Sequence, residues 1–405
     1  MSKGALREPV ASGVVRLVNR LSRLSGRGAG TVAGGRVGLR ICPDLLERLA
    51  RDRTVIAISG TNGKTTTTAM VAAGWGGDVA VNTTGANMPA GLVAALTESS
   101  SVRAALEVDE AWLPEVIRAT RPRFVVLLNL SRDQLDRASE VRQMAERWLR
   151  CLNAPENREI VVVANANDPL VVYAASGASD VRWCDVPTVW LLDATSCPRC
   201  TRPLVHEDRD WHCACGFAKP VSTTVLDGQT VSVGELRAPM TLSVPGTFNE
   251  ANAAMALTAL VAMDVPLEQA LQRVGTLSNV AGRFSRRQWR NQTLQLMLAK
   301  NPAGFAAVLS TVTEGNDDVW IAINAQIADG HDPSWLYDVP FEQLRGHRVC
   351  CFGERRLDLA TRLDYAGVEA LVIDDDSAPP AFEGTVALIA NYTAFAQWIA
   401  RSSPC

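Results

Sequence analysis

Residues 54–68 read TVIAISGTNGKTTTT, and the fold follows from this stretch. Val55, Ile56, Ala57 and Ile58 form an unbroken apolar run, the pattern of a strand buried on both faces. Gly60, Thr61, Asn62 and Gly63 follow as a loop, and Lys64, Thr65 and Thr66 open a helix that continues through Ala69, Met70, Val71 and Ala72. Two glycines let backbone N–H groups approach phosphate oxygens, and the helix presents its positive N-terminus. Lys64 adds a point charge, and the Thr65 hydroxyl is placed to hold Mg²⁺. The full Walker pattern would want glycine at Ile58, so the match is to the shorter form GTNGKTT. The stretch predicts a nucleotide-phosphate cradle between a parallel strand and a helix.

On the N-terminal side, Val14, Val15, Leu17, Val18, Leu21 and Leu24 recur at helical spacing among Arg16, Arg20, Arg23 and Arg27. The first 40 residues hold eight basic side chains against the single acid Glu8. Two readings of this basic amphipathic helix stay open: docking on the body with arginines in solvent, or contact with the inner membrane surface. Residues 25–38, SGRGAGTVAGGRVG, read as a glycine-rich connector, and Pro43 and Asp44 open a short helix from Leu45 to Ala50.

On the C-terminal side, apolar runs at Arg123 to Asn129 and Glu159 to Asn165 alternate with helical segments, which predicts a parallel doubly wound sheet. The alternation breaks near Trp183, a polar segment runs to about Lys219, and short β-like pieces lie around Thr223 to Val244. An alanine-rich helix at Asn249 to Met263 leads to a boundary near Gly282 and Arg283. Strands are then expected at Asp318 to Asn324, Arg348 to Phe352, Ala370 to Asp374 and Val386 to Ala390, with helices between them. The expected organisation is an N-terminal helix and connector at 1–53, a P-loop α/β domain at 54–283 with an insertion at about 190–220, and a second, Rossmann-like α/β domain at 284–405.

A chain of 405 residues with 47% hydrophobic and 20% charged residues is an ordinary globular protein, long enough for two or three domains. The net charge of −3 gives no overall basic field, so nucleic acid is not expected as a partner. The sequence has no apolar run long enough to span a membrane and no secretory leader, so a cytoplasmic location is expected.

Cys197-Pro-Arg-Cys200 and Cys213-Ala-Cys215 form two close thiol pairs separated by twelve residues. Such pairs can close a tetrahedron around Zn²⁺ and staple an insertion that lacks a core of its own, with His206 and His212 nearby as alternative ligands. A redox or disulfide pairing is the competing reading. The six remaining cysteines are scattered and read as thiols rather than disulfides. Glu107, Asp109 and Glu110 follow the apolar residues Ala104 to Leu106, and carboxylates at a strand end suit the Mg²⁺ of a bound nucleotide. Asn129, Arg132, Asp133, Gln134, Asp136 and Arg137 crowd the end of the next strand, where open α/β sheets bind ligands.

Taken together, GTNGKTT, the acidic segment, NLSRDQLDR (129–137), NANDP (165–169), PGTFNEANA (245–253) and AGRF (281–284) fall in the order seen in the Mur ligases and folylpolyglutamate synthases. The chain resembles most the MurT type, the ligase subunits of lipid II isoglutaminyl synthase. TTGANM (83–88), the four-cysteine insertion, AKNPAGF (299–305), ADGHDPSW (328–335) and NYTAF (391–395) carry that resemblance over nearly the whole chain. Two departures stand out. Gln134 replaces the histidine many relatives carry, and only 53 residues precede the phosphate strand, too few for the UDP-binding domain of ordinary Mur ligases.

The resemblance implies a carbon–nitrogen ligase of cell-wall synthesis that uses ATP and Mg²⁺, carries structural Zn²⁺ and takes glutamine as amido donor. It would amidate the α-carboxyl of D-glutamate in lipid II to D-isoglutamine through an acyl phosphate. It also implies nucleotide contacts from Asn252 and Arg283 and a heterodimer with a GatD-type glutaminase. An aspartate of this chain would complete the partner's Cys/His site, with Asp332, Asp338 and Asp329 as candidates; a plain capped turn with buried Trp335 and Tyr337 is the alternative for that segment. Two other functions stay open: a folylpolyglutamate-type ligase that needs no glutaminase, and a zinc-ribbon binding protein switched by ATP.

Overall fold

The computed structural model describes residues 7–24, 32–82, 86–132, 141–188, 190–278, 283–313, 318–374 and 385–405. The chain divides into two compact units. The first holds Met1–Leu130, Val141–Ser243 and Glu250–Leu277, and the second holds Ser131–Glu140, Val244–Asn249 and Ser278–Cys405.

The first unit opens with three helices, α1 (Arg7–Leu24), α2 (Ala33–Ile41) and α3 (Leu45–Ala50). There follow β1 (Thr54–Ser59), α4 (Lys64–Trp75), β2 (Ala80–Val81), α5 (Pro89–Glu98), β3 (Arg103–Glu107), α6 (Leu113–Thr120) and β4 (Phe124–Leu127). The alternation continues with α7 (Val141–Leu152), β5 (Val161–Asn165), α8 (Pro169–Ala175) and β6 (Asp180–Asp185). A small hairpin, β7 (Val205–Glu207) and β8 (Asp210–His212), precedes β9 (Thr224–Asp227), β10 (Thr230–Val233) and β11 (Leu236–Pro239). The helices α9 (Thr247–Ala262) and α10 (Leu267–Gly275) come next in the chain.

Among the described residues, nine strands form one sheet in the order β11-β10-β9-β6-β5-β4-β1-β3-β2. Val55, Ile56, Ala57 and Ile58 are essentially inaccessible, as expected for a central strand covered on both faces. Pairing from β2 through β9 is parallel, in line with the strand–helix alternation. The β-like pieces expected after the alternation breaks join the same sheet at one end, where β9, β10 and β11 run antiparallel. Only two residues join each of these strands to the next, and so short a loop makes a hairpin but cannot make a crossover.

The glycine-rich connector also needs correcting, since its second half is helical. Gly34, Gly35 and Gly38 lie in α2 and are buried there. Glycine in a helix interior weakens the isolated helix, but here it permits contact closer than any side chain would allow. A Cβ at Gly35 would sit 1.8 Å from the Ala90 carbonyl oxygen of α5, and one at Gly38 would sit 2.5 Å from a Val15 methyl of α1. Asn19 of α1 accepts a hydrogen bond from the Gly34 N–H at 3.2 Å. The three helices therefore pack backbone to backbone, and the first of them is held by small and polar groups.

The second unit contains β12 (Phe284–Trp289), β13 (Gln292–Leu298), α11 (Pro302–Thr313), β14 (Asp318–Ala322), β15 (Arg348–Phe352), α12 (Arg356–Tyr365) and β16 (Ala370–Val372). It ends with β17 (Thr385–Ala390), α13 (Tyr392–Arg401) and β18 (Ser403–Pro404). The sheet order is β16-β15-β14-β17-β13-β12-β18, parallel from β16 to β13 and antiparallel at β12 and β18. The β12–β13 hairpin precedes the first strand expected from the sequence, whose polar, arginine-rich first half masks its alternation. Trp320 anchors this unit's core, with ring centroids 5.2 Å from Phe352, 5.6 Å from Trp398 and 5.7 Å from Trp289.

The glycine packing makes opposite predictions for two chemically identical substitutions. Gly13 lies in α1 with open space around its Cα, so Gly13→Ala should stabilise by about 0.5–1 kcal/mol through backbone entropy. Gly35→Ala should instead destabilise by about 1–3 kcal/mol, because the added methyl overlaps α5. Urea unfolding of the full-length variants checks both signs, and a stabilised Gly35→Ala protein would refute the close packing.

Candidate active site and metal centre

The ends of three parallel strands deliver the phosphate loop. Register pairs Ile58 of β1 with Glu107 of β3, and Ser59 of β1 with Leu127 of β4, so the loop, the acidic segment and the segment after β4 emerge together. Gly60 and Gly63 take φ of 144° and 87°, values that side-chain-bearing residues rarely adopt. Thr61 donates its N–H to the Asn129 carbonyl at 2.9 Å, and Asn62 donates its N–H to the Asn129 side chain at 2.9 Å. The Asn129 amide donates back to the Asn62 carbonyl at 3.0 Å, so one asparagine braces the loop through its backbone and side chain.

Lys64 is buried at the first turn of α4, and its ammonium donates to the carbonyls of Gly60 and Thr61 and to Glu110 Oε2 at 3.0 Å. The Thr65 hydroxyl donates to Glu107 Oε2 at 2.8 Å. The expected phosphate-loop and acidic residues thus converge on one spot, and Thr66 is buried beside them. A hydroxyl and two carboxylates form the hard oxygen set that Mg²⁺ prefers, so these residues fit the ion. Asp109 stands apart, accepting the Ala111 N–H at 3.0 Å to shape the following turn.

Sequence reasoning missed the brace around Glu107. Asn82, just past β2, accepts the Glu107 N–H at 2.8 Å and donates to the Glu107 carbonyl at 2.8 Å, while Asn87 donates to Glu107 Oε1 at 3.2 Å. Trp148 of α7 donates its indole N–H to the Glu110 carbonyl at 2.9 Å. The signal for Asn82 was its position at a strand end, next to TTGANM. Asp168, within NANDP, caps α8 by accepting the N–H groups of Leu170 and Val171, and its second oxygen accepts the N–H of Leu130 at 2.8 Å. Burial pushes its carboxyl up to about 6 against these three donors, which favour the charged form.

Asn252 of α9 is nearly buried, and a Cβ at Gly63 would come within 2.4 Å of its Oδ1. The structure therefore places Asn252 against the phosphate loop. Arg283 lies in the second unit, next to the start of β12, where its carbonyl accepts the Leu298 N–H at 3.0 Å. Asp133, Gln134, Asp136 and Arg137, together with Thr83, Thr84, Gly85, Ala281 and Gly282, lie outside the described residues.

The four cysteines gather as the spacing predicts. Their Sγ atoms all lie within 4.8 Å of one another, with Cys197 and Cys215 3.7 Å apart and Cys200 and Cys213 3.5 Å apart. Zinc–sulfur bonds of about 2.3 Å on a tetrahedron set sulfurs about 3.8 Å apart, so the donor set fits Zn²⁺. Each pair sits on a tight turn, with Thr201 donating to the Cys197 carbonyl and Gly216 to the Cys213 carbonyl. The Phe217 N–H lowers Cys215 to about 7, a thiol ready to ionise. Among the described residues neither His206 nor His212 joins the cluster. Trp211 and Phe217 form a small core with Val172 and Leu204, and the Trp211 indole donates to the Ala166 carbonyl at 3.0 Å. The ribbon is thereby seated on α8 of the first unit.

In the second unit the three candidate aspartates separate by environment. Asp329 is buried and accepts the Thr393 N–H at 2.9 Å as well as its hydroxyl, tying the loop to the start of α13. Asp332 is exposed and accepts the Ser334 N–H at 2.8 Å, a contact that lowers its pKa. Asp338 is exposed and lies 3.5 Å from the Arg132 guanidinium. A capped turn is therefore present, with Trp335 buried as expected but Tyr337 58% exposed.

Comparison with known proteins bears on this geometry. Residues 58–186 match the Mur ligase middle domain, and residues 298–395 match the MurT ligase C-terminal domain. A curated relative from Staphylococcus aureus (strain COL), named lipid II isoglutaminyl synthase (glutamine-hydrolyzing) subunit MurT, is 28% identical over 96% of this chain and 97% of its own length. The protein of the same name from Streptococcus pneumoniae (strain ATCC BAA-255 / R6) is 26% identical over 88% of this chain and 86% of its own. The fold is similar to that of a pseudomurein peptide ligase type C from Methanothermus fervidus, with a TM-score of 0.66 at 19% identity over 89% of this chain and 80% of that one. A match to the Mur ligase middle domain is thus followed by a match to the MurT ligase C-terminal domain, on a chain similar along nearly its whole length to subunits named MurT.

Proposed function

We propose that this chain is the synthetase subunit of a glutamine-dependent ligase that amidates the α-carboxyl of D-glutamate in the stem peptide of lipid II, giving D-isoglutamine. The observation that carries the reading is the convergence of Lys64, Thr65, Glu107 and Glu110 at the strand ends, on a chain similar along almost its whole length to subunits of that name. Because the acceptor is lipid-linked, the reaction belongs at the inner face of the membrane.

A carboxylate is a poor electrophile, so its oxygen first attacks the γ-phosphorus of ATP and ADP leaves, forming an acyl phosphate. Lys64 and the loop N–H groups of residues 60–66 offset the charge on the transferring phosphoryl group. Mg²⁺, held by Thr65, Glu107 and Glu110, would neutralise the same phosphate oxygens. To reach a nucleotide, the Lys64 ammonium exchanges the carbonyls of Gly60 and Thr61 for phosphate oxygens. Asn252, packed on Gly63, supplies a further nucleotide contact. The nitrogen of ammonia then attacks the acyl carbon, the carbon–oxygen bond to phosphate breaks, and inorganic phosphate leaves with the amide formed.

Ammonia is mostly protonated at neutral pH, so a GatD-type glutaminase in a heterodimer supplies it. Asp332 is the aspartate we assign to the partner's Cys/His site, because Asp338 already faces Arg132 and Asp329 already holds α13. The four cysteines hold a structural zinc; with four protein ligands there is no open position for catalysis.

Lys64→Ala should abolish both glutamine- and ammonia-dependent amidation while the variant still co-purifies with its partner; undiminished turnover would sink the assignment. Asp332→Asn should cut glutamine-dependent amidation about 10²-fold or more while ammonia-dependent amidation persists, whereas Asp338→Asn leaves both within a few-fold. Activity that never needs a glutaminase would favour the folylpolyglutamate-type ligase. Elemental analysis should find one zinc per chain, lost in Cys197→Ser/Cys213→Ser with a fall in melting temperature of about 3 °C or more; a zinc-free native protein unmoved by chelators would overturn the metal centre.

A further inference from the structure

The first helix is built inside out. In a helix docked on a protein body the large apolar side chains face the core and the polar ones face water. In α1 the buried residues are Ala11, Ser12, Val15 and Asn19, three of them small or polar. The large residues Val10, Leu17, Leu21 and Leu24 are 55%, 58%, 56% and 76% exposed. They recur at intervals of seven, four and three residues, which places them on one stripe of the helix, opposite the buried set. The reason lies in the glycines of α2: packing at that distance admits Asn19 and Val15 but leaves no room for leucines. The apolar stripe is therefore surplus to the fold.

Its surroundings are basic. Arg7, Arg16, Arg20 and Arg23 are exposed along α1, and Arg36 and Arg40 are exposed on α2, which carries no acid. Arg23 is neutralised by Glu98 at 3.1 Å, and Arg16 keeps its charge while donating to the Thr97 carbonyl at 3.2 Å. Glu8, the one acid of α1, falls on the inner side of the wheel, near Ala11 and Ser12, where it is half-buried. No described helix is long and apolar enough to cross a membrane; a helix with an apolar stripe and a basic flank suits an interface plane.

From this juxtaposition we propose that the outer face of α1 seats on an anionic lipid bilayer, with Val10, Leu17, Leu21 and Leu24 at the headgroup–acyl boundary and the flanking arginines on lipid phosphates. Charge complementarity selects this occupant: a second copy of the chain would bring arginine against arginine, whereas an anionic surface offers both an apolar layer and the opposite sign. The helix is held to the body by α2 and α5, so docking α1 docks the enzyme.

The test is flotation of the full-length chain with vesicles of phosphatidylcholine alone and of phosphatidylcholine with phosphatidylglycerol. The chain should float with the anionic vesicles, weakly with the neutral ones, and less in raised salt. Leu17→Asp/Leu21→Asp should lower partitioning about tenfold or more, and Arg7→Gln/Arg20→Gln by a similar factor, at about fivefold for each basic residue. All four side chains are exposed, so ATP turnover should be retained as proof of folding. Three results would overturn the proposal: no flotation of the parent chain on anionic vesicles, flotation of both double variants equal to the parent, or concentration-dependent self-association that Leu17→Asp/Leu21→Asp abolishes. Amidation measured in detergent micelles bypasses the membrane, so failure of the proposed reaction and failure of membrane docking are read separately.

Discussion

Everything at the active site hangs on the parallel register of β1 with its two neighbours. With Ile58 opposite Glu107 and Ser59 opposite Leu127, the phosphate loop, the acidic segment and Asn129 leave the sheet at one level. Only then can the Thr65 hydroxyl reach Glu107 and the Lys64 ammonium reach Glu110. A slip of one residue in β3 would turn Glu107 to the opposite face of the sheet and leave Thr65 without its carboxylate. The apolar runs that bury these strands on both sides are what hold the register, so the core of the first unit and its chemistry depend on the same pairing.

The side chains at this point are charged, yet they are spared the cost of isolated buried ions. Lys64 meets a carboxylate and two carbonyls, and the Glu107 carboxylate accepts from two side chains, Thr65 and Asn87, while Asn82 holds its backbone. Such a constellation is preorganised: the groups that would stabilise a transferring phosphoryl are fixed by the fold instead of being collected by the substrate. The cysteine ribbon follows a different logic. It rests on a few aromatic contacts with α8, and the four sulfurs stand close enough for a metal to take over the work that a larger core would do.

How much was legible in the sequence depended on how local the determining physics is. The phosphate loop could be read because glycine spacing, a lysine and a helix start act within a dozen residues, and the four cysteines because ligand spacing is itself the signal. Strands β1, β4, β5, β14, β15 and β17 were visible as apolar runs, since central parallel strands bury both faces. The connector was half misread because glycine says nothing about which backbone will approach it; only the neighbouring Ala90 and Val15 explain Gly35 and Gly38. Asn82 escaped notice for a similar reason, as its bonds to Glu107 cross 25 residues of chain. The antiparallel end of the first sheet and the β12–β13 hairpin were obscured by short, polar strands whose partners, not their own composition, define them.

That antiparallel end has a consequence for the chain's behaviour in crowded solution. An open sheet exposes unpaired backbone groups along both borders, and another chain can extend it there. In the first unit one border is β2, only two residues long, and the other is β11, Leu-Arg-Ala-Pro, where Arg237 brings a charge and Pro239 lacks an N–H to offer. Among the described residues neither border is a ready template for a neighbouring strand, so a sheet whose parallel centre is built of apolar strands is shielded from recruiting other copies into fibrils.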